Sequence, residues 1–398
     1  MGYNLLMQEA QSPELEKILN NFWIDAAFDS TTHREYILDR DGQPILDNYG
    51  QPIQIEHGKA QVGHHRDLAQ HLRAPEGYPD EELRNVEFMH FDSRSPEQKQ
   101  KEKESGPQTP YVIVITGWWG RGPEVEDELK ALAIAMGEEG LLGDAVSLPG
   151  HGQTSNLENG WGNKDDFETA ARAILEHIRE VKAREPNRPI LLHAWSMGGV
   201  TALKLVAMLE KMRQEAQTDE QENTEPLVGG VILVDTPAFR FNLREFARRF
   251  FGYATPMGQR GIKKEPPLLL TAALKGLSIF FDRIRDRNKP EGMSLPVLLG
   301  SAQALSMQDL GKDGTLELVA ASQVQILLLS GTNDHVIPKA MIHKLYDKIR
   351  NAGGNIIHEI IAGAGHSLEG ERPRTVGKVI RNWMVNNKLL RQNKKQAA

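Results

Sequence analysis

Short apolar runs rich in β-branched residues alternate with helical patterns from residue 111 to residue 387. Six runs predict strands, at residues 111–116, 144–148, 189–194, 228–234, 324–330 and 355–361. Helical patterns lie between or after them, at residues 124–139, 165–184, 197–215, 338–351 and 372–387. Strands that alternate with crossover helices pair in parallel, because each helix returns the chain to the same end of the sheet. The sequence therefore predicts an α/β fold built on a mostly parallel sheet.

The alternation is flanked and interrupted by segments of different composition. In chain order we predict an N-terminal extension (1–84), a first part of the core (85–236), a helical cap insertion (237–310), a second part of the core (311–391) and a flexible tail (392–398). Within the extension, GQPI occurs twice in residues 34–56, which is consistent with a β-hairpin. Residues 85–93 alternate in polarity and predict an antiparallel edge strand. Residues 95–108 contain no apolar residue and predict a linker or surface loop.

Composition excludes several classes of protein. The chain has 398 residues, with 47 Lys and Arg against 54 Asp and Glu, so its net charge of −7 does not suit a nucleic-acid partner. It has no Cys, which excludes disulfides, thiolate metal sites and a cysteine nucleophile. The N-terminus does not resemble a secretory signal, and the longest apolar stretch, residues 268–281, is shorter than the roughly 20 residues that span a bilayer. We therefore expect a cytoplasmic protein.

The strongest chemical signal is ILLHAWSMGG at residues 190–199, a strand-type run that passes directly into a turn and then a helix. The pattern small-x-Ser-x-Gly is typical of a nucleophile elbow, which holds a serine in a strained turn at a helix N-terminus. Ser196 would be the nucleophile, and the backbone N–H of Met197 would face a developing oxyanion. Taken alone, the motif also fits an ordinary glycine-rich turn, because Ala194 stands where Gly is usual.

An acid and a base for this serine follow other predicted strands. His366 comes after residues 355–361 and Asp334 after residues 324–330, so both fall at the carboxyl edge of the sheet, where catalytic groups collect. A serine hydroxyl needs an imidazole to take its proton, and a carboxylate to orient that imidazole. Asp235, which follows residues 228–234, is an alternative acid; otherwise it would cap a helix.

These motifs make residues 85–387 resemble the α/β-hydrolase superfamily, and the Trp195–Gly199 elbow resembles that of its monoacylglycerol-lipase and carboxylesterase branch. The resemblance implies a mostly parallel sheet with helices on both faces and an inserted helical cap, with no metal and no cofactor. The order Ser196, Asp334, His366 is the order of that superfamily. The loop after residue 330, SGTNDHVIP, resembles its usual acid loop, which favours Asp334 over Asp235.

Two further loops carry the resemblance. LPGHG at residues 148–152 follows the second parallel strand, and its His151 is expected to be structural because His366 occupies the place of the base. TGWWG at residues 116–120 follows the first parallel strand, where the resemblance implies that the Trp118 backbone supplies the second oxyanion N–H. Thr116 departs from the family's usual His. Trp119 would line the acyl pocket; the alternative is that both indoles pack the cap against the core.

The insertion indicates what the substrate is like. Residues 237–290 hold twelve bases against four acids, and Phe239, Phe246 and Phe250 fall on one face of its first helical pattern. An aromatic pocket under a basic lid suits a lipid-like ester or an anionic substrate and allows peripheral contact with a membrane. The alternative is that the bases are merely solvated and the phenyl rings belong to the core.

Together these features predict a serine hydrolase that cleaves carboxylic esters, lipid-like or with medium to long acyl chains, through an acyl-enzyme. Two alternatives remain open: a thioesterase or acyltransferase with the same triad, and a catalytically silent binding protein of the same fold. A polar cluster of three histidines and an aspartate is read as a solvated surface and not as a metal site; its members are His64, His65, Asp67 and His71. No sequence feature indicates an oligomeric state.

Overall fold

The computed structural model describes residues 35–36, 54–61, 85–118, 125–151, 154, 157, 160–218, 227–242, 249 and 295–390. Within them, the strands are β1 (Glu35–Tyr36), β2 (Gln54–Gln61), β3 (Asn85–Asp92), β4 (Tyr111–Ile115), β5 (Leu142–Val146), β6 (Ile190–Trp195), β7 (Gly230–Val234), β8 (Gln325–Gly331) and β9 (Ile356–Ile361). They form one sheet in the order β1-β2-β3-β5-β4-β6-β7-β8-β9. All pairs from β5 to β9 are parallel, which confirms the predicted fold class.

Helices connect the strands and cover both faces of the sheet. They are α1 (Pro96–Ser105), α2 (Glu126–Met136), α3 (Asp166–Arg184), α4 (Met197–Thr218), α5 (Leu295–Met307), α6 (Thr315–Ala321), α7 (Lys339–Asn351), α8 (Leu368–Glu371) and α9 (Pro373–Asn386). A 3-10 turn (Gly137–Glu139) follows α2. None of the helices among the described residues is long and apolar enough to cross a membrane.

The central strands are apolar on both faces because each face lies under helices. In β4, Ile113 and Ile115 pack into the cluster that includes α3 and α4, whereas Val112 and Val114 pack into the cluster with α2 and α9. All four side chains are fully buried. A strand buried on both faces is a continuous apolar run rather than an alternating one. This explains why the parallel strands could be recognised in the sequence.

Strand β3 differs from its prediction in one respect. It is antiparallel to β5, as expected, but it is not an edge strand, because β2 pairs with its other side. Strand β1 in turn pairs with β2, with Glu35 opposite Ile55. The extension therefore adds two antiparallel strands to the sheet, in an arrangement compatible with the predicted hairpin. The residues between β1 and β2 lie outside the described part of the chain.

The prediction of a loop at residues 95–108 was wrong, because this segment contains α1. Ser95 caps the helix in a reciprocal capping box with its third residue. The helix has almost no apolar surface to bury, but Glu102 on its inner side is buried and accepts hydrogen bonds from the buried Arg188 guanidinium, with Nη2 2.7 Å from Oε2. A paired charge, rather than a hydrophobic stripe, holds this helix to the core.

The described part of the insertion consists of residues 237–242, 249 and 295–310. It includes α5, in agreement with the helical prediction. Most of the basic stretch and the tail at residues 392–398 lie outside the described residues. The boundaries of the cap, residues 237 and 310, stay a prediction from the sequence.

Candidate active site

Ser196 occupies a sharp turn between β6 and α4. Its φ of 52° lies in the left-handed region, which is unfavourable for a residue with a Cβ. The turn is held by a hydrogen bond of 2.8 Å from the Ser196 N–H to the Val234 carbonyl oxygen. A Cβ on Gly198 would lie only 2.4 Å from the carbonyl oxygen of Ile115, so a larger residue does not fit there. This is the strained strand–turn–helix geometry that the sequence pattern predicted.

His366 links this serine to a carboxylate. Its Nε2 lies 3.2 Å from Ser196 Oγ, and its Nδ1 lies 3.0 Å from Asp334 Oδ2. All three side chains are buried. Because a carboxylate only accepts hydrogen bonds, Nδ1 carries the proton, which leaves Nε2 free to accept from the serine hydroxyl. The three residues that the sequence selected are thus brought into one continuous hydrogen-bonded chain.

Asp334 is held by the loop that carries it. Its Oδ1 accepts hydrogen bonds from the backbone N–H groups of Val336 at 2.7 Å and Ile337 at 3.1 Å. Burial by itself raises the pKa of the Asp334 carboxyl, but His366 and these two N–H groups outweigh it, and the net pKa lies below the ordinary value. The carboxyl is therefore ionised at neutral pH and can stabilise an imidazolium.

The loop that carries His366 is hydrogen-bonded to β6, the strand that precedes Ser196. The Trp195 indole Nε1 donates to the His366 carbonyl oxygen at 3.0 Å. The Gly365 N–H donates to Glu371 Oε2 at 2.8 Å. These bonds restrain the backbone on both sides of the imidazole. The position of the base is therefore set by groups that do not touch the serine.

A buried hydrogen bond between an imidazole and a carboxyl group reinforces this connection. His193 on β6 and Glu369 on α8 are both buried, and His193 Nε2 lies 2.6 Å from Glu369 Oε1. Sequence reasoning missed His193, Trp195 and Glu369. For His193 and Trp195, the available signal was the side-chain alternation along β6, which puts positions 193 and 195 on the face of the sheet opposite Leu192. The pairing across the fold was not visible in that period.

The loop after β4 passes directly against the serine. A Cβ on Gly117 would lie 3.2 Å from the Cβ of Ser196 and 2.7 Å from the Trp195 ring, so only glycine allows this approach. The next residue, Trp118, is buried, and its indole Nε1 donates to Ser301 Oγ at 3.0 Å and to the Leu298 carbonyl oxygen at 3.2 Å, both on α5. Met197 begins α4 and is also buried. The backbones of both predicted oxyanion donors therefore adjoin the serine turn.

Asp235, the alternative acid, has a different environment. It is fully buried, has a left-handed φ of 44°, and its Oδ1 accepts a long hydrogen bond of 3.3 Å from the Gly331 N–H. Among the described residues, the imidazole of His366 has Asp334 and not Asp235 as its carboxylate partner. Burial, followed by the negative charge of Asp334, raises the pKa of the Asp235 carboxyl well above its ordinary value.

Asp235, Asp334 and His366 are also residues of the types that bind metal ions, and their possible ligand atoms lie within 4.8 Å of one another. They are the one such group found among the described residues. Both imidazole nitrogens of His366 already have hydrogen-bond partners. A cation would have to displace the proton that joins His366 to Asp334, so we assign no metal to this cluster. The histidines and aspartate at residues 64–71 lie outside the described residues.

His151 has the contacts of a structural residue. Its Nδ1 donates to the Pro149 carbonyl oxygen at 3.0 Å, which also accepts from the Trp161 indole at 2.8 Å. Burial lowers the pKa of His151 to about 4, so the ring is neutral at physiological pH. It braces its own loop and needs no role in proton transfer.

The predicted substrate-binding residues are only partly described. Phe239 is 3% exposed and packs in the hydrophobic core, with Lys344 Nζ 4.0 Å from its ring centroid. Its burial matches the alternative expectation, in which the phenyl ring belongs to the core. Trp119, Phe246 and Phe250 lie outside the described residues.

The sequence matches the alpha/beta hydrolase family over residues 112–379, a span that contains the elbow and both loops carrying the acid and the base. Among curated proteins, a segment of 100 residues is 28% identical to part of the non-reducing polyketide synthase VdtA of Byssochlamys spectabilis. That segment is 25% of this chain and 4% of that protein, so the chain spans only a small fraction of the relative that it matches.

Two solved structures that resemble this chain are distant from it in sequence. A highly thermostable carboxyl esterase from Bacillus coagulans is 15% identical, with a TM-score of 0.52 over 84% of this chain and 99% of that one. A bromoperoxidase from Bacillus anthracis is 16% identical, with a TM-score of 0.49 over 75% of this chain and 96% of that one. At such identities the likeness concerns the fold alone, which many activities share.

Proposed function

This chain belongs to the alpha/beta hydrolase family, and from that premise we propose that it is a serine hydrolase that cleaves carboxylic esters through an acyl-enzyme. The observation that carries the proposal is the hydrogen-bonded chain from Ser196 Oγ through His366 to Asp334. A serine placed in a strained turn, next to an imidazole whose other nitrogen binds a carboxylate, is the arrangement that activates a hydroxyl for acyl transfer.

In the first half-reaction, Ser196 Oγ attacks the ester carbonyl carbon while His366 Nε2 accepts the hydroxyl proton. Asp334 stabilises the resulting imidazolium and does not itself take the proton. The carbonyl oxygen becomes an oxyanion, which the backbone N–H groups of Met197 and Trp118 would bind. Each such donor typically contributes about 2.7 to 4 kcal/mol to the stability of the transition state. His366 then gives its proton to the departing alcohol.

In the second half-reaction, water attacks the acyl-enzyme on the same carbonyl carbon. His366 Nε2 takes a proton from the water and returns it to Ser196 Oγ, so the enzyme ends in its starting protonation state. The products are a carboxylic acid and an alcohol. Every step uses protein groups and water, and we propose that no cofactor takes part.

For the substrate we propose an ester with an apolar acyl group, lipid-like or of medium to long chain. The support comes from the sequence of the insertion, which combines aromatic residues with the excess of twelve bases over four acids at residues 237–290. The same positive charge supports binding of an anionic head group and peripheral contact with a membrane. A cytoplasmic location is part of this proposal.

Hydrolysis of p-nitrophenyl esters, from acetate to palmitate, tests the proposal. Replacing the nucleophile, Ser196→Ala, should lower kcat by about ten-thousand-fold or more and abolish labelling by a fluorophosphonate probe. The matched control is Ser330→Ala, since Ser330, near the end of β8, also has its Oγ 2.8 Å from an imidazole, that of His358. The control should keep both activity and labelling.

Four outcomes are informative. A rate that peaks at medium or long chains supports the lipid-like substrate. Labelling of Ser196 without ester hydrolysis favours a thioesterase or acyltransferase, and thioesters become the next substrates to measure. Unchanged ester hydrolysis in Ser196→Ala would contradict the assignment, and failure of the probe to label the folded wild-type protein would favour the catalytically silent alternative.

A further inference from the structure

Two carboxyl groups share one buried space beneath the candidate catalytic histidine. Asp235 follows β7 and Asp334 follows β8, and because these strands are parallel neighbours, their carboxyl ends meet at the same edge of the sheet. Both side chains are buried, Asp235 completely. Atoms of both carboxyls lie within 4.8 Å of each other and of His366. The charge on either carboxyl group therefore strongly affects the pKa of the other.

The two carboxyls are unequally supplied with hydrogen-bond donors. Asp334 accepts from His366 and from the backbone N–H groups of Val336 and Ile337. Asp235 accepts from the Gly331 N–H alone, at 3.3 Å, and its Oδ2 is buried without a donor among the described residues. A buried negative charge needs donors or an opposite charge, and Asp334 has three such partners where Asp235 has one long hydrogen bond.

The remaining charges around Asp235 make its ionisation still less favourable. The charged groups that act on it most strongly are Asp334 and Glu369, both acidic, and Glu369 is itself paired with His193. Burial and the charge of Asp334 both raise the pKa of Asp235. Two carboxylates this close in a buried site do not both ionise, so one of them keeps a proton.

We propose that Asp235 is a positioning residue: a neutral carboxylic acid that donates a hydrogen bond to the Asp334 carboxylate and holds it in the plane that His366 requires. This inference rests on the proposed function, because Asp334 is the group that it positions. Protonation removes the unsatisfied oxygen, since the carboxyl then donates instead of only accepting. Asp235 keeps its proton throughout the reaction, while the serine proton travels to His366 and on to the leaving group.

The backbone of Asp235 decides which variants are useful. Its φ of 44° suits asparagine and glycine but strains other residues. Asp235→Asn keeps an acceptor for the Gly331 N–H and a donor for Asp334, and it cannot ionise. Asp235→Gly removes the carboxyl and tolerates the same φ. Asp334→Asn is the matched change at the neighbouring carboxyl.

Kinetics with the same p-nitrophenyl ester separate the roles. We expect Asp235→Asn to keep at least about a third of the wild-type kcat, because the hydrogen-bond pattern survives. Asp235→Gly should lower kcat about ten-fold at unchanged KM, the effect of losing one hydrogen bond to a charged group. Because the amide cannot ionise, retained kcat in Asp235→Asn would show that position 235 acts without a negative charge, and an unchanged KM in Asp235→Gly would place the loss in the chemical step. If Asp235→Asn loses as much kcat as Asp334→Asn, Asp235 is an ionised catalytic acid and the proposal is overturned.

Infrared spectroscopy supplies a measurement that needs no substrate. A protonated carboxylic acid has a carbonyl stretch at higher frequency than a carboxylate. The difference spectrum of wild type minus Asp235→Asn at neutral pH should therefore contain that band. Its absence would overturn the proposal even if Asp235→Gly proved too unstable to assay. Failure to hydrolyse any ester would instead count against the proposed function and leave the band unaffected.

Discussion

Two clusters of imidazole and carboxylate lie in different parts of this sheet, and among the described residues only one of them contains a serine hydroxyl. At the carboxyl edge, Asp334 binds one nitrogen of His366, and the other nitrogen faces Ser196. On the side of the antiparallel strands, Asp144 of β5 lies between two imidazoles, with His90 Nδ1 2.8 Å from Oδ1 and His177 Nε2 2.8 Å from Oδ2. The residue types are the same.

The two clusters differ in which elements the carboxylate connects and in what contacts the second nitrogen of each imidazole. The oxygens of Asp144 are bound by imidazoles from β3 and α3, so the carboxylate joins the antiparallel strands to a helix of the core. The far nitrogen of His177, Nδ1, is buried with no partner among the described residues. On the proposed function, we expect a carboxylate–imidazole pair to take part in catalysis only where strand ends bring a serine to the other nitrogen of the imidazole. Elsewhere we expect such a pair to serve packing.

The largest effect that sharpens this comparison comes from the same substitution made in each cluster. Asp334→Asn should lower kcat by about 10,000-fold, because the amide stabilises the wrong tautomer of the imidazole. Asp144→Asn should leave kcat within about two-fold and lower the free energy of unfolding by about 2 kcal/mol, since a charge-assisted hydrogen bond is lost. Ester hydrolysis and urea unfolding of both variants measure the contrast.

The Asp144 effect has its own dependence on pH. Burial raises the pKa of Asp144, but the hydrogen bonds from His177 and His90 outweigh it and hold the pKa well below the ordinary value. A lowered folded-state pKa contributes stability that is present above the unfolded-state pKa of about 3.9 and is lost as the pH falls below it. The stability difference between wild type and Asp144→Asn should shrink below that pH. A large loss of kcat in Asp144→Asn, with the fold intact, would dissolve the distinction between the clusters.

Much of the fold was predictable because its signals are local. The six parallel strands lie within about three residues of their predicted positions, since each is a continuous apolar run buried on both faces. The serine turn was predictable because its strain demands small residues at fixed positions. Neither conclusion required knowledge of a distant contact.

What could not be predicted depends on pairs of residues that are far apart in the chain. The sequence predicts a loop in place of α1 because Glu102 has the pattern of a solvated charge, and its partner Arg188 lies 86 residues away. The bond between His193 and Glu369 joins residues separated by 176 positions. The strand pattern alone left the choice between two acids open for the same reason, because which carboxyl meets His366 depends on how three strand ends converge. The resemblance of the loop at residues 330–338 favoured Asp334, which is the carboxylate that His366 contacts.

Another buried imidazole, His151, has no carboxylate partner among the described residues and should behave differently from both clusters. Its pKa of about 4 in the folded protein lies below the unfolded value of about 6.5. A lowered folded-state pKa means that stability present above pH 6.5 is lost as the pH falls toward 4, by up to about 3 kcal/mol. His151→Phe cannot bind this proton, so its stability should vary less over that window, while kcat stays within about two-fold.

Urea unfolding of wild type and His151→Phe at several pH values between 7 and 4 measures this difference. The variant keeps an aromatic ring, and the Pro149 carbonyl oxygen keeps its bond from Trp161, so loss of packing should be small. Parallel curves for the two proteins would show that His151 is not a buried neutral imidazole. A loss of kcat comparable to that of Asp334→Asn would move His151 from the structural to the catalytic group.

The smallest expected effect concerns Trp118, the proposed oxyanion donor. The prediction tests whether this residue contributes to catalysis through its backbone N–H or through its indole side chain. Trp118→Phe removes the indole donor to Ser301 and Leu298 but keeps the backbone N–H. Losing one neutral hydrogen bond that only positions the loop should lower kcat about three-fold.

The control variant, Ser301→Ala, removes one of the two acceptors of the Trp118 indole. If both act through the same bond, the double variant should be no worse than Trp118→Phe alone. A hundred-fold loss in Trp118→Phe would mean that the indole itself contacts the reacting atoms, because positioning through one hydrogen bond cannot account for so large an effect.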